Sequence, residues 1–339
     1  MSLKVLTIGA GFFASLHIDA WARNEDVILA GLVDTDLEKA EKLRDEHCPD
    51  GLVFEDPEAA LSELNPDIID IATPPSTHAD LISLADKSHP KAIICQKPFC
   101  GTYEAAQKAV ASTSSLLIIH ENFRFQPWYR ILKDRLESNA IGEVYQVTVR
   151  LRPGDGQGPD AYLARQPYFQ EMERFLIHET GIHFIDCFRY FLGEPNAVFA
   201  DLRRLNPAIK GEDACHLTLH YDSGARAVLD GNRLADHPAD NLRLTMGECM
   251  IEGSTGVLSV DGFGKVWKRD FGSPQAVEIK HDFDDTRFGG DCVFDFQKHV
   301  TDHFLTGSPL ENTGQEYLRN MEIEEAVYAS NSQKSVIRL

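Results

Sequence analysis

The first 34 residues constrain this chain more than any other stretch. Leu3–Ile8 is a short aliphatic and β-branched run that breaks into Gly9-Ala10-Gly11-Phe12-Phe13-Ala14. A helical pattern follows over 14–23, and a second apolar run, Val27–Val33, ends at Asp34. Strand, glycine turn, helix, strand and acid in this order make a G-x-G-x-x-A dinucleotide fingerprint. Gly9 permits the bend, Gly11 lets the backbone approach a pyrophosphate, and the small Ala14 lets the helix pack close to the strand. The helix opened by Phe12 and Phe13 offers phosphates its unpaired N–H groups and the positive end of its dipole. Asp34, 20 residues beyond Ala14, is spaced to accept hydrogen bonds from the ribose hydroxyls. Its carboxylate repels a 2′-phosphate and no Arg follows it directly, so the expected cofactor is NAD rather than NADP. Asp36 reads as the cap of a helix beginning near Leu37.

The pattern continues as an alternation. Helices are expected over 38–47, 78–87 and 103–112, and strands over 67–72, 92–95 and 116–120. Alternation of this kind implies right-handed crossovers and an α/β Rossmann domain, a doubly wound parallel sheet, over residues 1–122. Ligand then belongs at the carboxyl ends of the strands, where Thr73-Pro74-Pro75, Gln96-Lys97-Pro98 and the stretch from His120 to Arg124 lie. Beyond residue 122 the period changes. A helix over 128–138 leads into 144–152, where Tyr145, Val147, Val149 and Leu151 alternate with Gln146, Thr148 and Arg150, the period of a half-buried strand. Further strands are expected over 198–204, 214–221, 225–229, 242–251, 257–260 and 277–279, a long helix over 174–191, and closing helices over 292–304 and 314–329. Residues 123–339 thus read as an α+β domain with a large, mostly antiparallel sheet for substrate binding and oligomerisation. Its last helix is expected to pack back towards the N-terminal domain. The cleft between domains is the expected place for a small-molecule substrate.

The chain has 339 residues with 43% hydrophobic and 25% charged residues, enough for two buried cores. A formal charge of −20 argues against nucleic acid or an anionic membrane surface as partner. Seven scattered cysteines, never spaced C-x-x-C, suit reduced thiols in a cytoplasmic protein rather than disulfides or a zinc site. No apolar stretch approaches the length that spans a bilayer.

Two groups of residues carry chemistry. Lys97 ends an apolar strand and precedes Pro98. It is either a surface lysine or, beside a nicotinamide, a group that polarises a substrate oxygen while hydride moves. In His178-Glu179-Thr180-Gly181-Ile182-His183-Phe184-Ile185-Asp186, a helix would put Glu179 and His183 four apart on one face, with Asp186 three beyond His183. An imidazole held by a carboxylate is a general acid or base near neutral pH, although a lone helical histidine can equally be structural. His178 and His183, five apart, fall about 140° apart around a helix, which opposes a two-histidine metal site. The polar, glycine-rich stretch 154–174, with Tyr162, Arg165, Tyr168 and Arg174, is either a cover that contacts a polyhydroxylated or carboxylated ligand or a surface excursion or subunit contact.

These landmarks resemble the glucose-fructose oxidoreductase, inositol dehydrogenase and rhizopine catabolism superfamily, Gfo/Idh/MocA. The matching features are the fingerprint, Asp34, Asp70-Ile71-Ala72-Thr73-Pro74-Pro75 with His78, Lys97-Pro98, Asn122-x-Arg124-x-x-Pro127, Gly181-x-His183-x-x-Asp186 and the C-terminal Glu325-Ala326-x-Tyr328-x-Ser330. The resemblance implies an NAD(P)-dependent oxidoreductase acting on a sugar, polyol or sugar acid. It makes Lys97 and His183 catalytic and sets Glu179 where many members have Asp. It also places Thr73, Pro74, His78, Gln96 and Asn122 at the cofactor and Arg124 near the substrate; Arg165 and Tyr168 are the loop's own candidates for substrate contact. It implies a homodimer or homotetramer formed through the open face of the C-terminal sheet. One departure stands out: the family's usual Glu before the lysine is Gln96 here. A non-catalytic NAD- or ligand-binding sensor of the same fold is the alternative.

Overall fold

In the computed structural model, which describes residues 2–339, the chain divides into two units. The first holds residues 2–122 with Val293–Arg319, and the second Phe123–Cys292 with Asn320–Leu339.

The first unit alternates β1 (Leu3–Ile8), α1 (Phe12–Arg23), β2 (Val27–Val33), α2 (Leu37–His47), β3 (Leu52–Phe54), α3 (Pro57–Leu64), β4 (Ile68–Ile71), α4 (His78–Asp86), β5 (Ala92–Gln96), α5 (Tyr103–Ser112) and β6 (Leu116–His120). All six strands are parallel, in the order β3-β2-β1-β4-β5-β6. The order reverses between β1 and β4, the switch point at which such sheets hold ligands. Every residue of β4 and β5 is buried, which is why these strands read as unbroken apolar runs. The sequence reading passes over β3 and α3, since a three-residue, partly exposed edge strand carries too little periodicity to register. Asp36 and Asp56 cap α2 and α3 by accepting the N–H of Lys39 and Glu58. The returning segment 293–319 is tied in by Asn312, whose carbonyl accepts the Ile119 N–H at 2.9 Å and whose Nδ2 donates to the Glu121 carbonyl at 2.7 Å.

The second unit begins with a one-turn 3₁₀ helix, Phe123–Phe125, and then runs α6 (Pro127–Glu137), β7 (Val144–Leu151), a π-helical turn (Leu176–Gly181), α7 (Ile182–Leu192), β8 (Ala197–Arg203), β9 (Ala214–His220), β10 (Arg226–Asn232), α8 (Leu242–Thr245), β11 (Gly247–Gly253), β12 (Gly256–Val260), β13 (Val266–Asp270) and β14 (Val277–Ile279). Three elements follow in the chain: α9 (Cys292–Thr306), which lies almost wholly in the first unit, α10 (Gly314–Gln333), which runs from the first unit into the second, and β15 (Ile337–Arg338). The nine strands lie in the order β14-β13-β12-β11-β7-β10-β9-β8-β15, antiparallel except for the β7–β10 pair. One face is the core, where Val147, Val149, Leu217, Leu219, Ala227 and Leu229 pack with Trp128, Leu132, Phe184, Phe188, Ile323 and Val327.

Two expectations are corrected here, and one strand is added. Residues 242–251 are not one strand: α8, capped by Asn241, ends at Met246 (φ 57°), and the strand starts only at Gly247. Residues 174–191 are not one α-helix. The carboxylate of Glu212, from the turn before β9, accepts the N–H groups of Phe175 (3.3 Å) and Ile177 (3.1 Å) at the mouth of the π-turn. The charged strand β13, Val-Trp-Lys-Arg-Asp, shows no apolar alternation and escapes the reading.

Candidate active site

In the first unit the turn after β1 is built as a dinucleotide cradle. Gly9 has φ 115°, and a Cβ on it would lie 2.5 Å from the Ala72 carbonyl oxygen, so only glycine fits. A Cβ on Gly11 would point into open space with no atom within 4 Å, the room a pyrophosphate needs. No side chain caps the N-terminus of α1, and no acidic residue stands in its first turn. Phe12 is exposed and Phe13 half-buried there, while Ala14 is buried against the sheet. Asp34 is held at the end of β2 by the N–H groups of Ala10 (2.6 Å) and Asp36 (2.8 Å), one on each carboxylate oxygen. Each oxygen keeps a lone pair for a ribose hydroxyl.

The other strand ends converge on the same edge of the sheet. After β4, the Thr73 hydroxyl pairs with that of Thr77 at 2.8 Å, and Pro74 leads into a short 3₁₀ turn. His78 is buried, its ring nitrogens 2.9 Å from the carbonyls of Phe99 and Thr73. Burial pushes its pKa down, against those carbonyls, which favour the protonated ring. Gln96 ends β5, and its Oε1 accepts the Lys97 N–H at 2.6 Å. Asn122, after β6, is 1% exposed, and its Nδ2 finds no hydrogen-bond partner among the described residues. The bare helix end, the space at Gly11, the tethered Asp34 and the orphaned Asn122 amide together fit a dinucleotide.

In the second unit His183 stands in the first turn of α7, 4% exposed, its ring parallel to Phe123 at 3.8 Å. Asp186, the other acid considered for it, holds Arg124 and Asn320. Its carboxylate takes two bonds from Arg124, Nε at 2.7 Å and Nη2 at 2.6 Å, and a third from Asn320 at 2.8 Å. Arg124, whose guanidinium also lies over the Tyr190 ring, therefore braces the entry to α6 against α7. His178 pairs with Glu324 of α10 at 2.7 Å.

Glu179 sits in the π-turn at the centre of a polar cluster that the sequence did not disclose. Its Oε2 accepts from Thr180 Oγ1 at 2.5 Å and lies 3.5 Å from Arg233 Nη1. Arg233, 1% exposed at the end of β10, makes a two-point bond to Asp155 (3.0 and 2.6 Å) and donates to Thr180 at 2.9 Å. Burial works against its charge, but Asp155 and Glu179 outweigh burial and hold its pKa above the usual arginine value. Arg165 approaches Asp155 at 3.6 Å, and half-buried Arg243 feels the same cluster, its pKa lowered by burial and by the charge of Arg165. Exposed Tyr168 has its pKa raised by desolvation, with Glu179 adding to the rise. The loop 154–174 is packed on itself and on Arg233. Ala161, Tyr162, Phe169, Phe175 and Ile209 give it a small core, and the Arg233 guanidinium lies 5.1 Å from the Tyr162 ring and 4.8 Å from that of Phe175. No pattern in the sequence ties Arg233 or Asp155 to Glu179, because the pairing spans 78 and 54 residues.

Among the described residues no cluster of His, Cys, Asp and Glu has the arrangement of a metal site, and no helix is long and apolar enough to cross a membrane.

The geometry can be set beside known proteins. A family model described as the oxidoreductase family, NAD-binding Rossmann fold, matches residues 3–116, and one for the GFO/IDH/MocA C-terminal domain matches residues 129–259. The chain is 30% identical over 350 residues to a D-apiose dehydrogenase of Rhizobium rhizogenes, covering 97% of this chain and 95% of that protein. It is 25% identical over 357 residues to an inositol 2-dehydrogenase of Rhizobium meliloti, covering 100% of both. The crystal structure of an oxidoreductase from Agrobacterium radiobacter in complex with NAD+, L-tartaric acid and magnesium is similar with a TM-score of 0.88 and 27% identity, over 100% of this chain and 98% of that one.

Proposed function

This chain belongs to the Gfo/Idh/MocA oxidoreductase family, and from that premise we propose that it is an NAD-dependent dehydrogenase of sugar, polyol or sugar-acid hydroxyl groups. The observation that carries this reading is the intact cradle of Gly9, Gly11 and Asp34 in a chain that also keeps Lys97 and His183. NAD, when bound, supplies the hydride acceptor. Lys97 holds the substrate oxygen and steadies the charge that grows on it as the C–H bond breaks. His183, its ring fixed against Phe123, takes the hydroxyl proton, and the reverse reaction uses the same groups as donors. Glu179 meets a substrate hydroxyl, and the Arg233–Asp155 pair keeps the π-turn beneath it in place. Arg165 and Tyr168 contact the part of the substrate remote from the reacting carbon, while Arg124 acts through Asp186 on the helix that carries His183.

The reading extends to assembly and compartment. On the uncovered face of the nine-stranded sheet Ser259, Met250, Thr148, Val228, Thr218 and Phe199 form one uncharged row across five strand pairings. Arg150 and Glu248 pair beside it at 3.1 Å. A second copy of the chain covering this row forms a homodimer, or a homotetramer with a second contact. The cysteines carry thiols rather than disulfides, which supports a reducing, cytoplasmic setting.

The test is NADH formation from NAD by the purified protein across paired sugars, polyols and sugar acids, with NADP as control. Lys97→Ala and His183→Ala should each cut kcat by about 10²-fold or more while NAD still binds. Loss of NAD binding with kcat preserved in saturated enzyme would remove both residues from the chemistry. NAD binding without turnover on any substrate would favour a sensor.

A further inference from the structure

Beneath the strand end that carries Lys97 runs a buried chain of polar groups for which the reaction described above has no use. Asp70 of β4, with His17 and Trp21 of α1, is fully buried. An ionised carboxylate only accepts, so both neighbours donate to it: His17 Nδ1 at 3.1 and 2.9 Å and Trp21 Nε1 at 2.7 Å. Nδ1 is thereby committed to the carboxylate, which leaves Nε2 for a second partner. It faces Gln96 Nε2, an amide donor, at 3.2 Å. Once the Gln96 amide is turned this way, its oxygen faces the opposite direction and accepts the Lys97 N–H.

Each link thus dictates the orientation of the next, from a carboxylate at the centre of the sheet to the backbone of the lysine. The imidazole has little freedom to break the sequence. It stacks on His120 with ring centres 3.9 Å apart, meets the edge of Phe13 at 5.5 Å, and its backbone carbonyl accepts from Gln297 at 3.2 Å. A glutamate at position 96 would still accept the Lys97 N–H but has no proton to give His17 Nε2 while ionised. Gln at this position can face both neighbours at once, its amide nitrogen towards His17 Nε2 and its oxygen towards the Lys97 N–H.

We propose that Gln96 and His17 are positioning residues, which act through the Lys97 backbone to aim its ammonium group at the substrate oxygen. The proposal rests on the role given to Lys97 above. A purely structural chain would contribute to stability and leave the turnover of folded enzyme alone, so the two are separable by experiment.

Gln96→Leu, of similar reach but unable to accept or donate, is made in the wild-type and Lys97→Ala backgrounds, with Gln96→Glu and His17→Phe beside it. Misaiming a catalytic group costs on the order of 10- to 100-fold, and that fall in kcat at saturating NAD is expected for Gln96→Leu. Gln96→Glu keeps the acceptor for the lysine amide but loses the bond to His17, and should restore only part of the loss. In the Lys97→Ala background Gln96→Leu should cost nothing further, because there is no ammonium left to aim. His17→Phe should lower kcat in the same direction, and if it does not fold the two Gln96 variants decide alone. Equal losses from Gln96→Leu in both backgrounds, or a fall in melting temperature with kcat intact, would overturn the proposal. Full activity in Lys97→Ala itself would instead refute the catalytic role of the lysine, a result visible before any Gln96 variant is made.

Discussion

Two turns lead into helices that carry proposed site residues, and they are made by opposite means. The turn between β1 and α1 is shaped by the residues within it: Gly9 supplies a backbone angle that only glycine tolerates, and Gly11 supplies empty space. The π-turn before α7 contains nothing so distinctive. It is shaped from outside, by Glu212 accepting two of its N–H groups and Tyr328 donating to Glu212 at 2.7 Å, and by Arg233 reaching Glu179 and Thr180. A turn built from its own residues tolerates change elsewhere in the chain, whereas one built by distant partners transmits it.

The largest expected effect comes from removing the external support. Glu212→Ala strips two backbone N–H groups and a tyrosine hydroxyl of a buried acceptor, and should destabilise the second unit by about 3 kcal/mol. Chemical denaturation should show it, with a fall in kcat and unchanged NAD affinity. An unchanged denaturation midpoint would mean that the π-turn holds itself. The converse variant, Gly11→Val, fills space that nothing in the protein occupies. It should raise the Kd for NAD by about tenfold or more, roughly 1.4 kcal/mol, and leave the denaturation curve of the free protein in place. Loss of stability there would put the two turns in the same class.

A smaller effect isolates a third junction. Asp86, at the end of α4, accepts the N–H of Ser114 at 3.0 Å and of Ser115 at 2.8 Å. Burial pushes its pKa up, but these bonds outweigh burial and hold it at about 2. Its folded pKa lies below the unfolded value, so its contribution is fully present above about pH 4 and is lost as pH falls through 2. Asp86→Asn should therefore lower the melting temperature at pH 7, with the gap to wild type closing between pH 4 and 2. A gap independent of pH would mean that packing, not the charged acceptor, is what the residue supplies. The smallest effect is in labelling. Burial drives the thiols of Cys215 and Cys249 up to about 12, and alkylation of the native protein at pH 8 should spare both.

Legibility in the sequence follows the same division. Gly9, Gly11 and Asp34 could be placed because their spacing along the chain is their spacing in the turn, and the apolar runs of β4 and β5 announced burial on both faces. Lys97 and His183 gained chemical roles only from a family resemblance, since each by itself reads equally well as structural. The bond of Asp186 to Arg124, 62 residues away, could not be read, because only a partner three or four residues along a helix leaves a pattern in the sequence. Arg233, Asp155, Glu212 and His17 left no trace, for none lies at a periodic distance from the group it serves.

What the sequence determined by itself is everything that depends on neighbours in the chain: the alternation of strand and helix, the glycine turn, the acid that favours NAD and the change of period after residue 122. Only the tertiary structure decided which carboxylate meets which cation, that residues 293–319 return to the first unit, and that a π-turn replaces the start of an α-helix. The reason is physical. Backbone angles and burial periodicity are local and leave a pattern in consecutive residues, whereas a buried charge finds its partner in space, and that partner can come from anywhere in the chain.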